Sequence, residues 1–368
     1  MKTKHFIQAI LLISVMVFTS CVKKAVPGST ALVLSGGGAK GAYQIGVWRA
    51  MNEYHISETV SLVSGTSVGS LNAALFATTT CDEAEKLWKQ DVGYYSFMIP
   101  DFSSFTDIAD YIKELCRIYN ELDEYNKSVK SEDSLDELKK VSGFLSKTFS
   151  ATFDIVQYIL SAEHSGGLFK RDDLETILSR YIKIEDLKAS GIKVYASALE
   201  KGFFDLKKLL TLLSDKKTVK YFNLCEQTSS ENVYKILLAS SALPVAYPSV
   251  LLTSDVIFDS MPLGHDSEYI DGGFDLLGGA NTPVEPVIYN QGIKNVIVVY
   301  LESLEEMGGS GSVLKVDGKD TVINIIPSCN LGTIISGTVN FRADKIDTLI
   351  SLGYKDACEA FERAGFSK

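Results

Sequence analysis

The chain has 368 residues, enough to bury one large core, and 46% of them are hydrophobic against 22% charged, which excludes a disordered chain. Its formal net charge of −10 excludes nucleic acid as a partner, because a phosphate backbone repels an acidic surface. No linker rich in Pro, Gly and Ser divides the sequence, so residues 30–368 are expected to form one domain.

At the N-terminus, Lys2 and Lys4 precede an apolar run from Phe6 to Phe18, followed by Thr19-Ser20-Cys21. A bilayer span needs about 20 apolar residues, so the shorter run reads as a signal peptide over residues 1–20. The small residues ahead of Cys21 resemble the lipobox of bacterial lipoproteins, with Phe18 standing where that pattern has Leu. That resemblance implies lipidation of Cys21, a tether over residues 21–29 and anchoring in the cell envelope, in the outer membrane of a Gram-negative bacterium. The alternative is an ordinary secretory signal and a periplasmic or secreted protein. Cys81, Cys116, Cys225, Cys329 and Cys358 show no CxxC spacing and no neighbouring His cluster, so they read as buried small hydrophobes and no metal site is expected. One disulfide among them stays open in an oxidising compartment.

An apolar strand from Thr30 to Ser35 runs into Gly36-Gly37-Gly38-Ala39-Lys40-Gly41, and an amphipathic helix follows from Ala42 to Tyr54. A second short strand, Val60 to Val63, leads through Ser64-Gly65-Thr66-Ser67-Val68-Gly69 into a small-residue helix over Ser70 to Thr78. Strand, tight turn and helix, twice over, predict a parallel sheet covered by helices. Residues 100–165 have apolar positions at helical spacing in a charged background and read as a helical insertion, either surface decoration or a cap over the site. Strand character returns at Ile192 to Leu199, helix at Val233 to Ser241, and Asp271-Gly272-Gly273 closes a β-like run from Tyr269. Lys294 to Leu301 and Thr321 to Ile326 are further strands, Gly308 to Ser312 is a flexible loop, and residues 343–364 form a closing amphipathic helix.

Gly65-Thr66-Ser67-Val68-Gly69 is a GxSxG sequence between a strand and a helix. A nucleophile on so sharp a turn crowds the backbone around it, and residues two positions away on either side must lack bulk. Ser67 is therefore the candidate nucleophile. Gly36 to Gly41 fits GxGxxG, but a dinucleotide site needs an acid at the end of the next strand, where Ser67 stands instead. A P-loop fails as well, because Lys40 precedes Gly41 and Ala42 follows it. What remains is a loop of bare amides at a helix N-terminus, suited to an oxyanion, with the Gly37 and Gly38 N–H groups as candidate donors. Lys40 either adds positive field there or stands as a solvated lysine on the first helical turn. His5, His55, His164 and His265 all read as surface residues, His265 the least securely, so the base is sought among carboxylates and Asp271 is the best placed.

These motifs together resemble the patatin-like phospholipases: Gly36 to Gly41 is similar to the oxyanion loop, Gly65 to Gly69 to the nucleophile turn, and Asp271-Gly272-Gly273 to the Asp-Gly-Gly/Ala motif. A fourth block, Ala239 to Pro248, matches too. The likeness covers about residues 30–300 and is thin across the insertion. It implies a three-layer α/β/α sandwich with a mainly parallel sheet, a Ser67–Asp271 dyad without His, and hydrolysis of acyl esters of phospholipids or lysophospholipids with no cofactor. A carboxylate titrating near pH 4 is a weak base beside imidazole, so such a dyad needs help from its surroundings. A non-catalytic lipid-binding lipoprotein and a small-ester esterase or peptidase are the rival readings. Leu243, Val245 and Tyr247 suit an acyl chain as well as they suit a core.

Overall fold

The computed structural model describes residues 29–92, 172–201, 219–243, 247–273, 279–338 and 340–368. The expected signal segment, Cys21 with its expected tether as far as residue 28, Cys116, His164 and the expected helical insertion at 100–165 lie outside the described residues.

The first strand, β1 (Thr30–Leu34), is buried along its whole length. Ala31 and Val33 enter one apolar cluster, Leu32 and Leu34 the other. A strand apolar on both faces must be covered on both. It is followed by α1 (Ala42–Glu53), β2 (Val60–Thr66), α2 (Val68–Thr78), α3 (Cys81–Lys86), α4 (Asp172–Tyr181) and α5 (Ile184–Ala189). Next come β3 (Lys193–Glu200), β4 (Lys220–Asn223), α6 (Ser230–Ser240), β5 (Val250–Leu252) and the small hairpin of β6 (Ile257–Phe258) and β7 (Met261–Pro262). The chain closes with β8 (Ser267–Asp271), α7 (Glu285–Ile288), β9 (Asn295–Val299), β10 (Thr321–Ile325) and α8 (Ala343–Arg363).

The main sheet runs β10-β9-β1-β2-β3-β8-β5, with β4 also paired to β3. The five strands from β10 to β3 are parallel, whereas β8 and β4 run antiparallel to β3, and β5 antiparallel to β8. From β1 the chain moves to β2 on one side, and β9 later joins on the other. Such a reversal of strand order opens a crevice at the carboxyl ends of the strands. The register places the site there: Leu34 is level with Val299 and Gly65, Thr66 with Ser197, and Ala198 with Asp271. One face of the sheet is covered by α1, α2, α6 and α8, and the other by the thinner layer around Val284, Val287, Ile293 and Val316. This is the expected α/β/α sandwich with a mainly parallel sheet.

Each predicted strand and helix between residues 30 and 92 and between 192 and 364 is present, with ends shifted by a few residues. Three expectations need correction. The loop at Gly308 to Ser312 contains a 3-10 turn over Ser310–Ser312. Cys329 is exposed, and Cys225 and Cys358 are half-buried, so only Cys81 of the described cysteines is a buried hydrophobe; all four are free thiols. Lys40 is buried, which excludes the solvated reading.

Candidate active site

Ser67 follows β2 directly and adopts φ 54° and ψ −127°, a region that side-chain-bearing residues avoid. The surrounding fold holds it there. Its carbonyl accepts the Ser70 and Leu71 amides, so α2 starts from the turn itself, and its own N–H donates to Ser240 Oγ at 3.1 Å. The flanking glycines are obligatory: a Cβ on Gly65 would stand 2.1 Å from the Gly69 carbonyl oxygen, and one on Gly69 would stand 2.3 Å from that of Leu34. The steric reading of Gly65 and Gly69 therefore holds, with β1 as the second backbone that crowds the turn.

The glycine loop lies beside this turn because β1 and β2 are adjacent and parallel. Gly38 has φ 57° and no room for a side chain, since the Thr338 carbonyl oxygen would meet a Cβ at 2.2 Å. A Cβ on Gly41 would stand 2.5 Å from Val68 Cγ2, so its absence lets α1 start against α2. The Gly36 N–H is committed to the Asn281 carbonyl and the Lys40 N–H to that of Gly37. The Gly37 and Gly38 amides between them have no acceptor among the described residues, and both glycines line the cavity in front of Ser67. Lys40 lines it too, and its Nζ lies 3.6 Å from Glu306 Oε1.

Asp271 ends β8 and is 4% exposed. Its Oδ1 accepts the Gly273 N–H at 2.7 Å, and its own N–H donates to the Ala242 carbonyl at 3.0 Å. Gly272 must be glycine because a Cβ would stand 2.5 Å from the Ser197 carbonyl oxygen. The fourth sequence block thus acquires a structural role: Ser240 holds the backbone of Ser67, and Ala242, two residues on, holds that of Asp271. Neither residue was singled out from the sequence, and only the block as a whole pointed to them. Leu243 and Tyr247 line the cavity, while Val245 lies outside the described residues.

Ser67, Asp271, Gly36, Gly37, Gly38 and Gly273 all open onto one cavity of about 330 Å³. Its other walls are mostly apolar, formed by Leu71 and Leu75 of α2, Trp88 and Val92 of a π-helical turn after α3, Ile177 and Leu178 of α4, and Phe341. This size and lining fit a small-molecule site with an apolar ligand part. A buried polar chain supports the wall: Gln44 Nε2 donates to the Ser35 carbonyl, Asn72 Nδ2 to Gln44 Oε1 and the Gly41 carbonyl, and Trp88 Nε1 to Asn72 Oδ1. The glycine loop and the apolar wall are thereby fixed to one helix. His55 and His265 are exposed; His265 bonds Leu263 and Glu200 and takes no part in the cavity. Among the described residues no cluster of His, Cys, Asp and Glu is arranged for a metal ion, and no helix is long and apolar enough to cross a membrane.

Fold and site together define an α/β protein with a nucleophile-type serine turn and a buried carboxylate on one largely apolar cavity. Over residues 32–288, more than half of the chain, the sequence matches the family described as patatin-like phospholipase, and the protein belongs to that family. A patatin-like phospholipase domain-containing protein of Caenorhabditis elegans is 53% identical over 51 residues, 14% of this chain and 4% of that protein. A lysophospholipase of Aspergillus terreus is 47% identical over 49 residues, 13% of this chain and 3% of that one. The matches thus span a small fraction of these relatives' length. Among solved structures, VipD from Legionella pneumophila superposes with a TM-score of 0.42 at 12% identity, over 92% of this chain and 68% of that one. The type III effector ExoU gives 0.38 at 14% identity, over 93% and 54%.

Proposed function

We propose that the protein is a serine acyl-ester hydrolase of the phospholipase A or lysophospholipase type, with Ser67 as nucleophile and Asp271 as its base. The observation that carries this reading is the shared cavity, onto which a strained serine, a buried carboxylate and the bare amides of a glycine loop all open. Ser67 Oγ attacks the ester carbonyl carbon while the Asp271 carboxylate takes its proton, then passes it to the departing alcohol oxygen as the C–O bond breaks. The Gly37 and Gly38 N–H groups face the oxygen on which negative charge develops, each such donor contributing about 3–4 kcal/mol to the transition state. Water, losing a proton to Asp271, then attacks the acyl-enzyme carbonyl, and Asp271 returns that proton to Ser67 Oγ as the ester bond breaks and the fatty acid leaves. The apolar wall holds the acyl chain, which favours a lipid over a peptide or a short ester.

Attachment to a membrane through lipidated Cys21, in the cell envelope, belongs to the same proposal and is supported by residues 1–21 of the sequence alone. Labelled palmitate should enter the wild type and not Cys21→Ala; equal labelling refutes the anchor. For the reaction, the test is product analysis on a long-chain phospholipid, its lysophospholipid, a short-chain ester and a peptide, beside fluorophosphonate labelling. Free fatty acid from the long-chain substrates, with labelling of the wild type but not of Ser67→Ala, is the expected result. Preferred cleavage of the short ester or the peptide, or labelling that survives Ser67→Ala, refutes it.

A further inference from the structure

The segment Ala280-Asn281-Thr282, which follows the Asp271 turn, touches three of the segments that build the site. The Ala280 N–H donates to the Gly272 carbonyl at 2.7 Å, and the Ala280 carbonyl accepts Thr66 Oγ1 at 2.8 Å. The Asn281 carbonyl accepts the Gly36 N–H at 3.1 Å, and Thr282 Oγ1 shares a hydrogen bond of 2.7 Å with Ser35 Oγ. One tripeptide therefore ties the carboxylate turn, the nucleophile strand and the glycine loop together.

The Asn281 side chain lines the cavity and makes no hydrogen bond of its own among the described residues. Its Oδ1 lies 2.6 Å from the place a Cβ on Gly36 would take, a point 3.1 Å from Ser67 Cβ. The same atom lies 2.8 Å from the place a Cβ on Gly273 would take, a point 3.2 Å from Asp271 Oδ1. The carboxamide is wedged between the serine turn and the carboxylate turn, with glycine on both sides because no side chain fits beside it.

We propose that Asn281 is a positioning residue whose carboxamide sets the spacing between Ser67 and Asp271, an inference that rests on the reading of those two as nucleophile and base. A planar carboxamide offers donor and acceptor ends that a half turn interchanges, so it can sit against a carboxylate without charge repulsion. An aliphatic group of similar volume keeps the wedge but removes the carboxamide's polar ends, and Asp in its place sets a second negative charge beside Asp271. The other titratable groups lining the cavity are Lys40, paired with Glu306, together with Glu302, Tyr181 and Tyr247.

The test is steady-state hydrolysis of p-nitrophenyl decanoate by the full chain, comparing wild type, Ser67→Ala, Asn281→Ala and Asn281→Asp, with thermal midpoints recorded. Misplacement of reacting groups by about 1 Å costs about 100-fold. Asn281→Ala is expected to lose kcat on that order while KM stays within about twofold, and Asn281→Asp to move the acid limb of the kcat/KM profile to higher pH. A wild-type kcat in Asn281→Ala overturns the inference. So does a loss that merely follows a collapsed thermal midpoint while Asn281→Asp keeps the wild-type pH profile. If the wild type hydrolyses no faster than Ser67→Ala, the functional reading falls and the inference with it; if the wild type is active and Asn281→Ala matches it, only the inference falls.

Discussion

At Glu200, where β3 meets β8, burial raises the carboxyl pKa, but hydrogen bonds from Lys220 and Ser267 and the Lys220 charge outweigh it and bring it down from 4.5 to about 2. A carboxylate depressed in the folded state stabilises it above the unfolded value, and that contribution is lost as pH falls from about 4.5 through about 2. The side chain is a third exposed, so solvent screens the effect. Thermal unfolding between pH 5 and pH 2 should therefore fall more steeply for the wild type than for Glu200→Gln; parallel slopes would contradict the linkage. Residues of this kind were invisible in the sequence, where Glu200 and Lys220 are two charges among many. Ser67 and Asp271 were legible for the opposite reason: each sits in a glycine pattern that few other backbone geometries demand. Lys40 fell between the two. Its place in the glycine loop was plain, but its ion pair with Glu306 joins residues that only the fold brings near.

Among the described elements, α1 and α8 pack closely, and glycine makes the approach possible. A Cβ on Gly46 would lie 1.9 Å from the Ile350 carbonyl oxygen, and one on Gly353 would lie 2.0 Å from that of Tyr43. Tyr43 also donates its hydroxyl to buried Asp356 across the same contact. Gly353→Ala should therefore separate the helices and cost about 1–3 kcal/mol of stability. Gly311→Ala, where a Cβ meets nothing within 4 Å, should be close to neutral. Urea denaturation distinguishes the two, and equal midpoints would contradict the close packing. The periodicity of α8 predicted its helix, since Ile346, Leu349, Ile350, Gly353, Ala357 and Phe361 fall on one buried face. It said nothing of its partner. Strands of two to four residues such as β4, β5, β6 and β7 escaped the sequence reading because so short a run carries no period, and α7 escaped for the same reason.

On the scale of the whole molecule, one topological fact makes the site. β1 sits between β2 and β9, so the loops leaving these strands diverge and leave a crevice into which Gly37, Ser67 and Leu301 all open. Adjacent parallel β1 and β2 were expected from the repeated strand-turn-helix pattern, and with them the juxtaposition of glycine loop and serine turn. The antiparallel return of β8, which brings Asp271 level with Ala198 of β3, was not readable, because register across the 72 residues between them is a property of the assembled sheet. Supporting groups such as Ser240, Ala242 and Asn281 enter only once that register is set. The most direct measurement is fatty-acid release from 1-palmitoyl lysophosphatidylcholine micelles by the wild type and by Asp271→Asn, which keeps the shape of the side chain and removes its basicity. A fall on the order of 1,000-fold or more in kcat, with the fold intact, is the predicted result; release by the variant within about tenfold of the wild type would contradict it.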